Sequence, residues 1–109
     1  MIDFEDFKKL DIRCGTIRKA SLHPKARNPA YILYIDFGAI GERVSSAQIT
    51  ENYSSEELVG MQITAVLNFP PKNIAGVRSE VLVLGVLDKE SGTVLLTPDK
   101  TVENGSEVA

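Results

Sequence analysis

Residues 68–85, with the sequence NFPPKNIAGVRSEVLVLG, join the end of one predicted strand to an apolar run through a short, stiff and basic connection. Pro70 and Pro71 fix φ at about −65° and lack a backbone N–H, so the chain cannot continue there as the interior of a sheet. Lys72 and Arg78 place two positive charges on the same connection. A stiff cationic loop at the end of a strand suits an anionic, hydrogen-bonding ligand such as RNA, and an ordinary turn with solvated charges is the alternative.

The length and composition of the chain fit one soluble domain. Its 109 residues, of which 43% are hydrophobic, support a single core, and no apolar run approaches the roughly 20 residues that span a bilayer. The N-terminal stretch MIDFEDFKKL is acidic and amphipathic, which is not typical of a secretory signal. Cys14 is the only cysteine, so an intrachain disulfide cannot form and we expect a cytoplasmic protein.

Positive charge is concentrated in two segments, although the net charge of the chain is −3. Residues 1–27 carry seven cations and four acids, and residues 68–80 carry two cations and one acid. An acidic protein can bind a polyanion through such local fields if the two segments meet in space. Scattered, solvated charges are the alternative interpretation.

The predicted elements are three strands, a helical turn and two further strands. Apolar alternation and turn residues define strands over 12–20, 31–37, 42–49, 61–69 and 81–87, with a helical turn over 54–60. A helix over 2–9, with Asp3 as its N-cap, precedes them. This order is that of the OB-fold, an all-β five-stranded barrel. We therefore expect a single domain over residues 1–109, with terminal extensions over 1–10 and 93–109.

Three details of this prediction concern individual positions. The apolar parity of the first strand switches at Gly15, which predicts a bulge or sharp bend there. In the fourth strand, Phe69 shares the parity of the core residues and is predicted to point inward. Residues 81–87 are so uniformly apolar that we expect them to have no water-exposed face along their length.

The residue types do not indicate an enzyme. His23 is the only histidine and precedes Pro24 in a loop, where a loop-shaping role is favoured over general-base chemistry. Cys14 lies on a strand near Ile12, which favours a buried, unreactive thiol. The sequence has no cluster of His, Cys and carboxylate residues with metal-ligand spacing and no phosphate-binding glycine loop. We therefore expect no catalysis, no cofactor and no bound metal.

Five ordered motifs together resemble the tRNA-binding OB-fold domain found at the C-terminus of many methionyl-tRNA synthetases. They are D-I-R-x-G-x-I at residues 11–17, H-P-x-A at 23–26, S-S-A-Q-I at 45–49, E-E-L-V-G at 56–60 and the segment 68–85. Within that family, the paired prolines and the string S-E-V-L-V-L-G are most similar to the CsaA-type proteins, which are described as export-related chaperones. The resemblance covers essentially the whole chain.

The resemblance implies a homodimeric OB-fold that binds tRNA or tRNA-like RNA, with chaperone activity towards unfolded or exported polypeptides. The positions that correspond to the RNA-binding loops and third strand of the family are Lys25, Arg27, Ser45, Ser46, Asn68, Lys72, Arg78, Ser79 and Glu80. Many family members have S-x-G-M where this chain has Ser79 to Leu82, so base contacts beyond Glu80 are not carried over. A polypeptide-binding chaperone in which RNA binding is weak or incidental is the alternative function.

Two further predictions rest on apolar and aromatic residues. Tyr34 lies on the polar parity of the second strand, where it could stack on a base or simply cover the outside of the barrel. Phe4, Phe7 and Leu10 form an apolar stripe on the N-terminal helix that has no obvious place inside a five-stranded barrel. This stripe and the C-terminal extension predict an isologous dimer interface, and folding back on the same barrel is the alternative.

Overall fold

The computed structural model describes residues 1–109 and contains nine strands. They are β1 (Ile12–Leu22), β2 (Tyr31–Asp36), β3 (Glu42–Ala47), β4 (Gln62–Val66), β5 (Lys72–Ile74), β6 (Val77–Ser79), β7 (Leu82–Val83), β8 (Gly85–Asp88) and β9 (Gly92–Leu95). Two short α-helices, α1 (Phe4–Lys8) and α2 (Ser55–Leu58), and a 3-10 turn over Gly38–Ile40 complete the elements. Five strands form one antiparallel sheet in the order β3-β2-β1-β4-β7, which curls into a nearly closed barrel. The predicted OB-fold is confirmed.

Strand β1 is the element that both halves of the barrel share. Residues 12–16 pair with β4, and residues 16–22 pair with β2. The register with β2 shifts between Ile17 and Lys19, so the irregularity that lets one strand serve two neighbours lies beyond Gly15. The pairing with β4 is regular through Gly15. The prediction of a bulge at this glycine was therefore wrong.

Gly15 is instead a site of close packing. A Cβ atom built on it would lie 2.7 Å from the ring of Phe37 and 2.8 Å from Cγ2 of Ile35. Both of those side chains are fully buried. The missing side chain therefore lets the Phe37 ring pack directly against the backbone of β1.

The core fills the barrel with apolar side chains from several strands and from α2. Leu33, Ile35 and Phe37 are fully buried and alternate with less buried residues along and just beyond β2, as the apolar alternation predicts. Leu58 of α2 is also fully buried and belongs to the same cluster as Ile63 of β4. The helical turn between the third and fourth strands thus packs into the core that these strands enclose.

The barrel closes where β3 meets the chain just before β7. The backbone N–H of Glu80 donates to the carbonyl of Val44 at 2.8 Å, and the N–H of Val44 donates to the carboxylate of Glu80 at 2.9 Å. The N–H of Ser46 donates to the hydroxyl of Ser79 at 3.0 Å. Two side chains therefore replace the carbonyls that a regular neighbouring strand would offer to the edge of β3.

The C-terminal segment folds back on its own barrel. The N–H of Gly105 donates to the carbonyl of Cys14 at 2.8 Å, and the N–H of Cys14 donates to the carbonyl of Ser106 at 2.9 Å. The N–H of Val108 donates to the carbonyl of Ile12 at 2.8 Å. These bonds pair the segment with the edge of β1 that β4 does not use. The last residues therefore fold back on the same barrel, which was the alternative to a dimer contact for the C-terminal extension.

The N-terminal helix remains on the surface. Asp3 is its N-cap, as predicted, and forms a capping box with Asp6. The rings of Phe4 and Phe7 stack with their centroids 6.3 Å apart. Phe4 is 69% exposed and Leu10 is 38% exposed, so the barrel of the same chain leaves most of this apolar stripe uncovered. Neither α1 nor α2 has the length and apolar character needed to cross a membrane.

Two predictions about apolar residues were wrong, and both concern the ends of short strands. Strand β4 ends at Val66, and its partner β7 begins opposite it at Leu82, so the sheet does not cover Phe69, which is 45% exposed. The apolar run after Val81 divides between β7 and the hairpin β8–β9, which lies outside the five-stranded sheet. Leu87, in the hairpin, is 82% exposed, and Leu82, on the edge strand β7, is also exposed.

Replacing Gly15 with alanine tests the close packing of β1 on Phe37. The added methyl group would meet two fully buried side chains, and overpacking of this kind costs about 1–3 kcal/mol. We expect the free energy of unfolding, measured by urea denaturation, to fall by that amount. Because a smaller side chain relieves the clash, Gly15→Ala combined with Phe37→Leu should cost less than the sum of the two single changes. If the double change costs as much stability as the sum of the two single changes, the close contact between Gly15 and Phe37 is contradicted.

Candidate nucleic-acid interface

Two cationic segments of the chain meet at the rim of the barrel. The first basic loop, residues 23–30, connects β1 to β2, and the basic hairpin, residues 72–79, consists of β5 and β6 with the turn between them. Their cationic side chains are Lys25 and Arg27 on the loop and Lys72 and Arg78 on the hairpin. All four are exposed, and none takes part in an ion pair within the chain. They are therefore free to contact an external anion.

His23 joins the two segments. Its side chain belongs to the first basic loop and is only 6% exposed. Nδ1 lies 3.1 Å from the hydroxyl oxygen of Ser46 on β3, and Nε2 lies 3.4 Å from the carbonyl oxygen of Ala75 at the tip of the basic hairpin. The two segments that the charge distribution singled out therefore converge beside the third strand.

The tip of the basic hairpin is a tight two-residue turn. Ile74 pairs with Val77, and the residues between them, Ala75 and Gly76, have φ angles of 48° and 89°, as in a type I′ turn. Ala75 is the only non-glycine residue of the chain with a positive φ, a conformation that side chains disfavour. Asn73 supports the turn, because its side-chain oxygen accepts a hydrogen bond from the N–H of Gly76 at 2.9 Å.

The register of the hairpin sets the directions of its two cations. Lys72 pairs with Ser79, and Asn73 pairs with Arg78; paired residues on antiparallel strands share a face. Because neighbours along a strand alternate between faces, Lys72 and Arg78 lie on opposite faces of the hairpin. Lys72 is on the face of Ser79, whose hydroxyl contacts β3. The structure thus brings Lys72 towards the third strand and directs Arg78 to the other side.

The two adjacent serines of β3 have different surroundings. Ser45 is 2% exposed, and its hydroxyl donates to the carbonyl of Val81 at 3.0 Å. The prediction that Ser45 contacts RNA therefore does not hold, because a buried and hydrogen-bonded hydroxyl is not available to a ligand. Ser46 is half-buried, and its hydroxyl lies against the ring of His23.

Three other predicted contact residues use their polar side-chain atoms within the chain. The amide of Asn68 donates to the carbonyl of Lys9 at 2.7 Å, and its oxygen accepts from the N–H of Asp11 at 2.9 Å. The side chains of Ser79 and Glu80 bond to the edge of β3 where the barrel closes. These residues belong to the framework that holds the cationic segments in place.

Tyr34 lies on the outer face of the sheet together with Ser46. The cross-strand pairs of Ile32 with Ser46 and of Tyr34 with Lys19 put all four side chains on this face. The ammonium group of Lys19 is 5.4 Å from the centroid of the Tyr34 ring, a cation–π distance. Lys19 therefore covers one side of the half-buried ring. It also adds a cation that the sequence analysis did not select, although the parity of β1 and β2 could have paired it with Tyr34.

A cavity of about 520 Å³ lies between β3 and the basic hairpin. Ser46 and Lys72 contribute to its lining, together with Phe69, Pro70 and Pro71. Phe69 thus offers an exposed aromatic ring near the cations, and the two prolines that directly follow it are the signal from which its exposure could have been predicted. Cations beside an exposed ring form a concave surface on which both the phosphates and the bases of an RNA find partners.

The reactive side chains of the chain are engaged or buried. Burial raises the pKa of the Cys14 thiol, which keeps it in the less nucleophilic protonated form. Both ring nitrogens of His23 have hydrogen-bonding partners. No group of three or more His, Cys, Asp or Glu side chains is close enough together to bind a metal ion.

Comparison with protein families and curated sequences matches this chain over most of its length. The family model described as "Putative tRNA binding domain" matches residues 12–107. The methionine–tRNA ligase of Flavobacterium johnsoniae is 38% identical over 108 residues, which is 99% of this chain and 15% of that protein. The chain therefore spans only a small part of the length of the curated relative.

Solved structures of the same length as this chain are closely similar to it. The crystal structure of the chaperone CsaA from Bacillus anthracis superposes with a TM-score of 0.95 at 50% sequence identity, covering 100% of this chain and 99% of that one. The CsaA chaperone protein from Picrophilus torridus has a TM-score of 0.94 at 52% identity and is matched over the full length of both chains.

Proposed function

We propose that this chain, which belongs to the tRNA-binding domain family and is of the CsaA type, binds tRNA or a similarly folded RNA where the first basic loop meets the basic hairpin. The observation that carries the proposal is the contact of His23 with both Ser46 and Ala75, because it joins the two cationic segments into one surface. The exposed cations of these segments would neutralise phosphates, which dominate the affinity of most nucleic-acid complexes.

The composition of the surface favours recognition of RNA shape over reading of many bases. Most hydroxyl and amide groups near the cations are engaged within the chain. The aromatic rings within reach are Phe69, which is exposed, and Tyr34, which Lys19 partly covers. We expect phosphate contacts from Lys25, Arg27, Lys72 and Lys19, and also from Arg78 if the RNA extends around the hairpin to its other face. Stacking at Phe69 would add about 1–3 kcal/mol if a base reaches it.

We expect this activity to be one of binding without catalysis, in the cytoplasm. The family assignment is to a binding domain, and the one thiol of the chain is buried. A single free cysteine is also typical of proteins from a reducing compartment.

A second candidate function, polypeptide binding by a chaperone involved in protein export, is favoured by the apolar surface beyond β7. Val86 and Val94 form an exposed pair on one face of the hairpin β8–β9, with exposed Leu96 just beyond it. Exposed Leu82 and Leu87 line a cavity on the other side of this hairpin. Exposed apolar groups on neighbouring strands suit unfolded polypeptides, which offer apolar side chains of their own. The two solved structures at 50% and 52% identity that were compared above are described as chaperones, which supports the same candidate.

We also propose that the chain forms a homodimer. The stripe of Phe4, Phe7 and Leu10 is left largely uncovered by the barrel, and a two-fold contact with a second copy would bury it. Phe4 contributes most of the exposed apolar surface of this stripe.

Charge reversal in either cationic segment should weaken tRNA binding. Arg27→Glu and Lys72→Glu each replace a phosphate contact with repulsion, and we expect each to raise the Kd for total tRNA by about tenfold, which corresponds to about 1.4 kcal/mol. Because phosphate binding releases counterions, the wild-type Kd should rise steeply with salt, and each phosphate contact removed should lower the slope of log Kd against log salt by about 1. Fluorescence anisotropy over a salt series measures both quantities.

The matched control for these variants is Lys100→Glu. Lys100 is exposed and lies beside Thr16 and Gln62. Thr16 is six residues before Leu22, the last residue of β1, and the first basic loop follows Leu22. The same charge change there should leave tRNA affinity within about twofold of wild type, since screening limits its reach to about 10 Å at 0.1 M salt. The chaperone candidate would be favoured instead by two results together. The affinity for tRNA would not change with salt, and an unfolded polypeptide would bind tightly with an affinity that also does not change with salt.

Phe4→Asp tests the dimer. We expect light scattering of the wild-type chain at micromolar concentration to give twice the mass of one chain, and the aspartate to shift the equilibrium towards monomer because it would place a charge inside an apolar contact. Val59→Asp, which changes an exposed apolar residue at the end of α2 and outside the stripe, is the control. A wild-type chain that is monomeric at this concentration would contradict the proposal.

A further inference from the structure

We infer that His23 is a positioning residue of the RNA interface. It holds the basic hairpin against the first basic loop, so that one RNA molecule can contact the cations of both segments at once. This inference rests on the proposed function and adds to it a residue that need not touch RNA itself. It follows from the burial of the ring, from its two hydrogen-bonding partners and from the way the hairpin is attached.

The His23 ring is fixed at both nitrogens. The carbonyl oxygen of Ala75 can only accept a hydrogen bond, so Nε2 must carry the hydrogen that lies between them. With one hydrogen on the ring, Nδ1 then accepts from the hydroxyl of Ser46. A buried ring with both nitrogens satisfied has one preferred orientation, because rotation would break both bonds inside a site that excludes most water.

The same residue also closes the first basic loop through its backbone. The N–H of His23 donates to the carbonyl of Ala30 at 2.9 Å, and the carbonyl of His23 accepts from the N–H of Ala26 at 3.4 Å. The position of the His23 side chain is therefore set by the turn that carries Lys25 and Arg27. The bond from this side chain to Ala75 then fixes the hairpin relative to the turn.

The tip of the hairpin has no other hydrogen bond to the rest of the chain. Its base is attached to β3 through Ser79, and the bond between Asn73 and Gly76 lies within the hairpin. Of the hydrogen bonds made by residues 73–77, the one from His23 to Ala75 is alone in joining the tip to another element. Removing it would leave the hairpin held at its base through Ser79 and by the packing of β6 beside β3. The first basic loop would lose its bond to the hairpin at the same time, so Lys25 and Arg27 would no longer be fixed relative to Lys72, and RNA binding would have to order them.

The test combines two replacements of His23 with a probe substitution in the hairpin. His23→Asn can replace Nδ1 but is too short to reach Ala75, whereas the amide nitrogen of His23→Gln can occupy the place of Nε2. In each background, Lys72→Gln removes one hairpin cation, and the Kd for total tRNA is measured over a salt series. Thermal unfolding of every variant checks that the barrel is folded.

We expect Lys72→Gln to raise the Kd about fivefold in the wild-type background and less than twofold with His23→Asn, since a loop and a hairpin that are no longer joined do not share one RNA. The salt slope of His23→Asn should be shallower by about 1 to 2, because one or two cations of the separated segments no longer reach a phosphate. His23→Gln should restore both the slope and the effect of Lys72→Gln. Ser46→Ala removes the other partner of the ring and keeps the bond to Ala75, so it should retain the Lys72 effect.

Two results would overturn the inference. If Lys72→Gln costs the same factor in folded His23→Asn as in wild type, with an unchanged salt slope, His23 does not position the hairpin, and tRNA binding by the chain still stands. If His23→Gln behaves as His23→Asn does while both are folded, the bond to Ala75 is not the contact that matters. A wild-type chain without salt-dependent tRNA binding would instead reject the proposed function, and the inference with it.

Discussion

The edge of β3 is the constraint on which the rest of this structure depends. The N–H groups of Val44 and Ser46 point away from β2 and need acceptors, since unpaired backbone donors at a barrel seam are costly. Strand β7 is too short to supply them, and the side chains of Glu80 and Ser79 do so instead. Because β6 ends at Ser79, this closure also fixes the base of the basic hairpin against the third strand.

The closure brings the first basic loop and the basic hairpin together, although these two segments have no apolar core of their own. The hairpin stands beside β3, and the first basic loop reaches both elements through His23. Exposed cations thus gather at one end of a barrel whose net charge is −3, while the acidic residues that outnumber the cations overall lie largely in other parts of the chain. A local positive field of this kind can attract a polyanion to an acidic protein. Membership of the tRNA-binding domain family agrees with that arrangement.

The predictable and unpredictable parts of the molecule differ in physical origin. Alternation along β2 and the capping residue Asp3 act locally, so the sequence alone is enough to predict the buried face of the strand and the start of α1. The bulge predicted at Gly15 and the burial predicted for Phe69 were wrong because both environments depend on distant partners: the ring of Phe37 in one case, and the limited length of β7 in the other. Such environments are set by tertiary packing, which local parity does not report.

The candidate site shows the same division at the level of side chains. Positive charge is visible in the sequence, and Lys25, Arg27, Lys72 and Arg78 are indeed exposed. Polar side chains are ambiguous, because a hydroxyl or amide that suits RNA also suits the backbone of a closing barrel. Ser45 and Asn68 use their polar atoms internally, and His23 acquires its importance only when the loop and the hairpin meet.

Hydrogen–deuterium exchange with and without tRNA tests the central claim most directly, since it reports where on the folded chain the RNA sits. If the RNA lies where the two cationic segments meet, amides of residues 23–30 and 72–79 should both exchange more slowly in the complex. Amides of residues 97–101, beside Thr16 and Gln62, should exchange as in the free chain. Slower exchange confined to residues 97–101, or to only one of the two cationic segments, would contradict a shared RNA surface.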